Sequence, residues 1–175
     1  MSANSASGMH KTFLQPGEYF VGHRPHRVST LLGSCVSIVI WHPRTRAGAM
    51  SHCLLPTRGK RREEDDVPDA RYADEAIWLM LRDLRQYGVS PEQCEAKIFG
   101  GGNMFPGVSV REACNIGRRN GEAAQQLLAR HELRIVSSSL YGPGYRRIVF
   151  DLATGHVWSR QTSVVPPQHL TGNSP

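Results

Sequence analysis

No apolar stretch of this chain approaches the ~20 residues that a membrane-spanning helix requires. Met1 to Met9 also lack the charged and apolar regions of a secretory signal. A cytoplasmic protein with no direct membrane insertion is therefore expected. The four cysteines, Cys35, Cys53, Cys94 and Cys114, contain no C-x-x-C pair, which argues against a disulfide framework. Their spacing relative to the histidines matches no structural zinc pattern. Neither a P-loop nor a G-x-G-x-x-G fingerprint occurs, so Gly100-Gly101-Gly102-Asn103 reads as a tight loop rather than a phosphate cradle. No helix-turn-helix, zinc finger or aromatic-basic module accompanies the excess of 21 Lys+Arg over 15 Asp+Glu. The net charge of +6 thus reads as an ordinary basic surface, and no nucleic-acid partner is expected. No metal and no organic cofactor are predicted.

What remains is enough chain, 175 residues with 39% apolar content, for one soluble domain with a substantial core. Residues 1–11 read as a disordered N-terminal segment, 12–160 as the domain, and 161–175 as a polar C-terminal tail. A first strand is expected over 13–21, broken at Pro16-Gly17, followed by a basic turn at 24–27. Val36 to Trp41 is a β-branched run suited to a buried strand, and 47–55 reads as its hairpin partner. The charge-rich segment 57–69 cannot bury much surface and reads as a mobile loop. Apolar residues at helical spacing predict an amphipathic helix over 70–86, ended by Gly88. A second helix is predicted over 115–130, with Asn115 as its cap and Ile116, Ala123, Leu127 and Leu128 as its apolar face. Short strands are expected at 96–99, 133–137, 147–151 and 155–158. Strands mixed with two long helices place the chain in the α/β or α+β classes.

The chemistry concentrates at Cys35 in Leu32-Gly33-Ser34-Cys35-Val36, with His52 seventeen positions later. Two adjacent strands can bring a thiol and an imidazole together as nucleophile and base. Gly33 permits close backbone approach, and an amide beside Cys35 can face an oxyanion. The hydroxyls of Ser29, Thr30 and Ser34 are available to orient the imidazole, and Asn103 to hydrogen-bond beside the site. The plain alternative is a buried thiol and a hydrogen-bonded histidine with ordinary turn hydroxyls around them.

The motifs taken together resemble one family. Ser29-Thr30-Leu31-Leu32-Gly33-Ser34-Cys35-Val36, Ala49-Met50-Ser51-His52 with Leu54-Leu55-Pro56, Tyr72-Ala73-Asp74-Glu75-Ala76-Ile77, Lys97-Ile98-Phe99-Gly100-Gly101-Gly102-Asn103-Met104-Phe105, Asn115-Ile116-Gly117 with Asn120, and Asp151 with Thr154-Gly155 are similar to the CheD family of chemoreceptor glutamine deamidases. The resemblance implies a layered α/β sandwich with a mixed sheet, akin to toxin deamidases. It implies Cys35 as nucleophile and His52 as base. The family's third catalytic residue, a threonine six positions before the cysteine, falls on Ser29 here, with Thr30 as its neighbour. Gly33, Ser34, Gly101, Gly102 and Asn103 take supporting places. The implied substrate is the cytoplasmic helical region of chemoreceptors, and a CheC-type phosphatase is an implied partner. The segment Ser139-Leu140-Tyr141-Gly142-Pro143-Gly144 departs from the family's Asp-Gly-Gly pattern. With Ser29, that departure keeps open a non-catalytic receptor-binding or adaptor-binding regulator. An amidase or transglutaminase-like enzyme is a further alternative.

Overall fold

The computed structural model describes residues 8–59, 63, 66–105 and 115–163. Outside this set lie most of the expected N-terminal segment and C-terminal tail, residues 60–62 and 64–65 of the charged loop, and Cys114. The elements in chain order are β1 (His10–Phe13), β2 (Tyr19–His23), β3 (His26–Leu32), β4 (Val36–His42), β5 (Ala47–Ser51), α1 (Ala73–Leu84), β6 (Glu95–Gly100), α2 (Ile116–Arg130), β7 (Arg134–Leu140), β8 (Tyr145–Asp151) and β9 (Val157–Thr162).

The strands form two sheets, one of four strands ordered β1-β3-β8-β9 and one of five ordered β2-β5-β4-β6-β7. Each is mixed, with a single parallel pair: β1 with β3 in the first and β6 with β7 in the second. The period-two alternation of β4 explains the layering. Val36, Ile38 and Ile40 join Ala76, Ile77, Met80, Leu127 and Leu128 in a core between the five-stranded sheet and the helices. Val39 faces the other way, joining Val28, Leu32, Met50, Phe99, Ile148 and Phe150 between the two sheets. The protein is thus an α/β sandwich of three layers. Because its central sheet is covered on both faces, β4 reads as a nearly continuous apolar run.

Several boundaries differ from the sequence expectation for identifiable reasons. The expected first strand at 13–21 is two strands in different sheets, since the chain turns at Gly17 with φ +86°. His10 and Lys11, assigned to the segment ahead of the domain, pair with His26 and Arg27 as the start of β1. The first helix closes as expected at Gly88, whose φ of +67° ends a short 3-10 turn over Arg85–Tyr87. The second helix is capped by the Asn115 side chain, which accepts from the Arg118 amide. Its buried face is Gly117, Asn120, Gly121, Ala124, Leu127 and Leu128, whereas Ile116, expected in the core, is exposed. In the charged loop, Arg58 grips Glu75 of α1 through two 2.8 Å bonds, and the same carboxylate accepts from the Asp69 amide. Among the described residues no helix is long and apolar enough to cross a membrane.

The two sheets approach closely where Phe150 of β8 lies on Gly48 of β5; a Cβ at Gly48 would sit 2.9 Å from the Phe150 ring. Phe150 is fully buried. Phe150→Ala is expected to cost about 3–5 kcal/mol, read as a lower urea midpoint with an unchanged slope.

Candidate active site

Cys35 lies where the chain leaves β3 in one sheet and enters β4 in the other. His52 directly follows β5. Val36 and Cys53 form an antiparallel bridge, with the Val36 amide donating to the Cys53 carbonyl at 3.0 Å and the reverse bond at 2.8 Å. Neighbours alternate in direction. Val36 and Cys53 face the helices, so Cys35 and His52 share the opposite face, between the sheets. Cys35 is half-buried and packs against the inter-sheet core. His52 is buried.

The imidazole is held from the other sheet. Thr30 of β3, fully buried, donates its hydroxyl proton to the Leu14 carbonyl at 2.8 Å. Its oxygen lies 2.7 Å from Nδ1 of His52. A hydroxyl has one proton to give, so Thr30 accepts from Nδ1–H, and Nε2 keeps its lone pair. Ser29, the residue expected to orient the imidazole, does not reach it. Adjacent strand residues point to opposite faces, and Ser29 stands on the outer side of the four-stranded sheet while Thr30 points inward. The structure therefore brings Thr30, not Ser29, to His52.

Burial favours the neutral form of both side chains. Burial raises the Cys35 thiol, partly offset by its own backbone N–H. Burial lowers the His52 imidazole, opposed by the nearby Leu14 carbonyl and by the charge of Glu18. The Cys35 N–H has no backbone partner among the described residues. The other described thiols differ. Burial pushes Cys53 up to about 12 and Cys94 to about 11, which leaves both unreactive.

The glycine loop after β6 braces the cysteine turn through its backbone. The Gly101 amide donates to the Cys35 carbonyl at 2.8 Å, and the Gly102 amide to the Gly33 carbonyl at 2.9 Å. A Cβ at Gly100 would overlap the Cys35 carbonyl oxygen, and φ there is +115°, so glycine is required. Asn103 points its contacts elsewhere. Its amide donates to Gly142 and its carbonyl accepts from Gly144, while Oδ1 accepts from the Phe105 amide. Ser34 contributes its carbonyl, which accepts from Asn120 Nδ2 at 3.0 Å.

Asn120 is the residue whose part the sequence did not disclose. The same Nδ2 also donates to the Leu54 carbonyl at 2.9 Å. One buried side chain on α2 thereby ties the turn carrying Cys35 to the segment following His52. Its signal was a polar residue among Gly117, Gly121 and Ala124 at helical spacing, a stripe too small to register as apolar. Among the described residues, no set of three or more His, Cys, Asp or Glu side chains is placed to share a metal ion.

A half-buried thiol and an imidazole whose burial favours its neutral form share one inter-sheet face, with an amide beside the sulfur that is unpaired among the described residues; these are the components of cysteine–histidine nucleophilic chemistry. A model of the family described as CheD chemotactic sensory transduction matches residues 54–161. The chain is 57% identical over 149 residues to the probable chemoreceptor glutamine deamidase CheD 2 of Albidiferax ferrireducens, covering 85% of this chain and 86% of that one. It is 41% identical over 158 residues to the probable chemoreceptor glutamine deamidase CheD 3 of Dechloromonas aromatica, covering 90% and 91%. Identity is again 41% over 158 residues to the probable chemoreceptor glutamine deamidase CheD of Pseudomonas savastanoi pv. phaseolicola, covering 90% and 88%. This chain belongs to the CheD family.

Replacing Asn120 by Ala leaves two carbonyls without their donor. The expected cost is about 2 kcal/mol, seen as a fall in Tm of roughly 4–8 °C by circular dichroism.

Proposed function

We propose that this protein is a cysteine-dependent protein-glutamine deamidase that converts glutamines of methyl-accepting chemoreceptors to glutamates and releases ammonia. The observation that carries the reading is the Leu14–Thr30–His52 chain of hydrogen bonds, which leaves Nε2 basic on the face shared with Cys35. In the first step the Cys35 sulfur attacks the carboxamide carbon of a substrate glutamine, and Nε2 takes the thiol proton. The developing oxyanion lies against the Cys35 N–H. The imidazolium gives its proton to the nitrogen, the C–N bond breaks, and ammonia leaves a γ-glutamyl thioester. His52 then takes a proton from water as the hydroxyl adds to the thioester carbon. The C–S bond breaks, the sulfur recovers its proton, and glutamate remains. Thr30 acts through His52 and is a positioning residue.

Each turnover adds one negative charge to the substrate. On packed helices, neighbouring like charges repel, so the product loosens the packing it was made in. The names carried by the relatives support a chemoreceptor as substrate. A CheC-type phosphatase partner belongs to this proposal on family resemblance alone. The non-catalytic alternative rested on Ser29 and on the altered 139–144 loop; with Thr30 beside the imidazole, the loop is what still speaks for it.

Purified protein incubated with a cytoplasmic chemoreceptor fragment is expected to add about one dalton per modified glutamine, mapped by peptide mass spectrometry. Cys35→Ala abolishes the shift; a shift that persists, or none with the native protein on a fragment it binds, overturns the reading.

Thr30→Val is expected to lower kcat by roughly 10²-fold. Thr30→Ser should retain most activity and Ser29→Ala should stay within about twofold.

The base must be neutral to act, and burial lowers its pKa, so protonation removes activity only below the ordinary imidazole value of 6.5. The acid limb of the kcat/KM profile is expected below that pH. Glu18→Gln removes a charge that favours the imidazolium and should move the limb lower still.

A further inference from the structure

Beside the cysteine turn lies a cavity of about 280 Å³, walled by Gly101, Asn103, Asn115, Arg118 and Tyr141 among others. Gly101 connects it to the site, since the Gly101 amide is bonded to the Cys35 carbonyl. The polar atoms around this cavity are not balanced. Asn103 has committed its Oδ1 to the Phe105 amide at 3.0 Å, and Asn115 its Oδ1 to the Arg118 amide at 3.1 Å. Each carboxamide therefore has its NH₂ without a partner among the described residues.

The carbonyls of the facing loop are also occupied. Tyr141 accepts from Arg146 and Gln161, Gly142 from the Asn103 amide, and Pro143 from Gln161. Among the described residues the side chains of the lining offer a ligand donors: two amide NH₂ groups and the Arg118 guanidinium. Among the described residues no Asp or Glu lines the cavity. Arg118 has an acidic neighbour in Glu122, at 3.8 Å on the exposed flank of α2 with both side chains about half exposed, an arrangement worth little.

The wall is also preorganised. The Arg118 guanidinium carbon lies 5.6 Å from the centre of the Tyr141 ring. That ring rests on Gly121, where a Cβ would approach its Cε1 to 2.7 Å. A planar guanidinium held over an aromatic face presents its N–H edge to an anion, and a carboxylate matches that edge in a bidentate manner.

We infer that this cavity is a subsite for a carboxylate side chain of the protein substrate, an aspartate or glutamate close to the glutamine that Cys35 attacks. The inference rests on the deamidase reading and adds a specificity rule to it: acidic surroundings select the glutamine.

The test uses the full chain and a cytoplasmic chemoreceptor fragment. A second version of the fragment carries Ala in place of each acidic residue within two helical turns of the modified glutamine. Arg118→Glu is expected to raise KM at least tenfold on the native fragment with kcat within twofold. On the second fragment, native and variant proteins should have equal KM. Arg118→Gln, a milder change at a half-exposed position, should show the same pattern at smaller amplitude.

An unchanged KM with Arg118→Glu overturns the subsite, as does an equal loss on both fragments, which would make Arg118 part of a general field. Competition by inorganic phosphate, with no response to the flanking acids, would assign the cavity to a free anion and overturn it as well. If no glutamine is modified by the native protein, the deamidase reading falls and this inference with it. If glutamines are modified but KM ignores Arg118, only the subsite falls.

Discussion

The hydrogen bond between Thr30 and His52 is the contact on which the rest of the candidate site depends, because it joins the two sheets beside Cys35 and His52. Thr30 belongs to the four-stranded sheet, and His52 continues from the five-stranded one. The carbonyl that completes the chain, Leu14, lies on the connection from β1 to β2, where the chain passes from one sheet to the other. Cys35 lies on a second such passage, from β3 to β4. The sheets cannot slide or separate without breaking the tautomer-setting bond. The packing of Val28, Leu32, Met50 and Phe150 between them is therefore also what fixes the imidazole.

The helical layer takes part through missing side chains. Gly117 and Gly101 touch backbone to backbone, with a Cβ on either running into the other's carbonyl. This lets α2 settle close enough for Asn120 to span Ser34 and Leu54. The turn that carries Cys35 is consequently held from two directions, by the glycine loop on its backbone and by one amide from the helix. A site whose donors are fixed before substrate arrives has little reorganisation left to do when charge develops.

Much of this was legible in the sequence. The β-branched run of β4, the helical spacing of Ala73 to Leu84 and the Asn115 cap each carried a local signal that the fold respects. Cys35 and His52 stood out because a thiol after a Gly-Ser turn and a histidine after an apolar run are unusual neighbours. Two features were hidden. The first is the choice between Ser29 and Thr30, which spacing along the chain does not decide but strand direction does: a one-residue step turns a side chain from the core to the outside. The second is the sheet partition. Nothing local tells residues 13–21 that their halves belong to different sheets, since pairing with β3 and with β5 is settled by residues far along the chain. Asn120 belonged to a motif, but its partners were hidden, because they are backbone carbonyls that any sequence would have supplied.

The alternation that sets Cys35 and Cys53 on opposite faces of one strand pair has a consequence for survival under oxidative stress. A thiol kept protonated by burial is a poor target for peroxide, because the thiolate is the species that reacts. Once oxidised to the sulfenic acid, however, Cys35 has no neighbouring sulfur among the described residues to resolve it, since Cys53 sits behind the backbone with its hydrogen bond to Ser51. Among the described residues its recovery therefore falls to a thiol from outside the chain, and beyond the sulfenic stage damage becomes hard to reverse. The burial that keeps the Cys35 thiol protonated is thus also a shield for it.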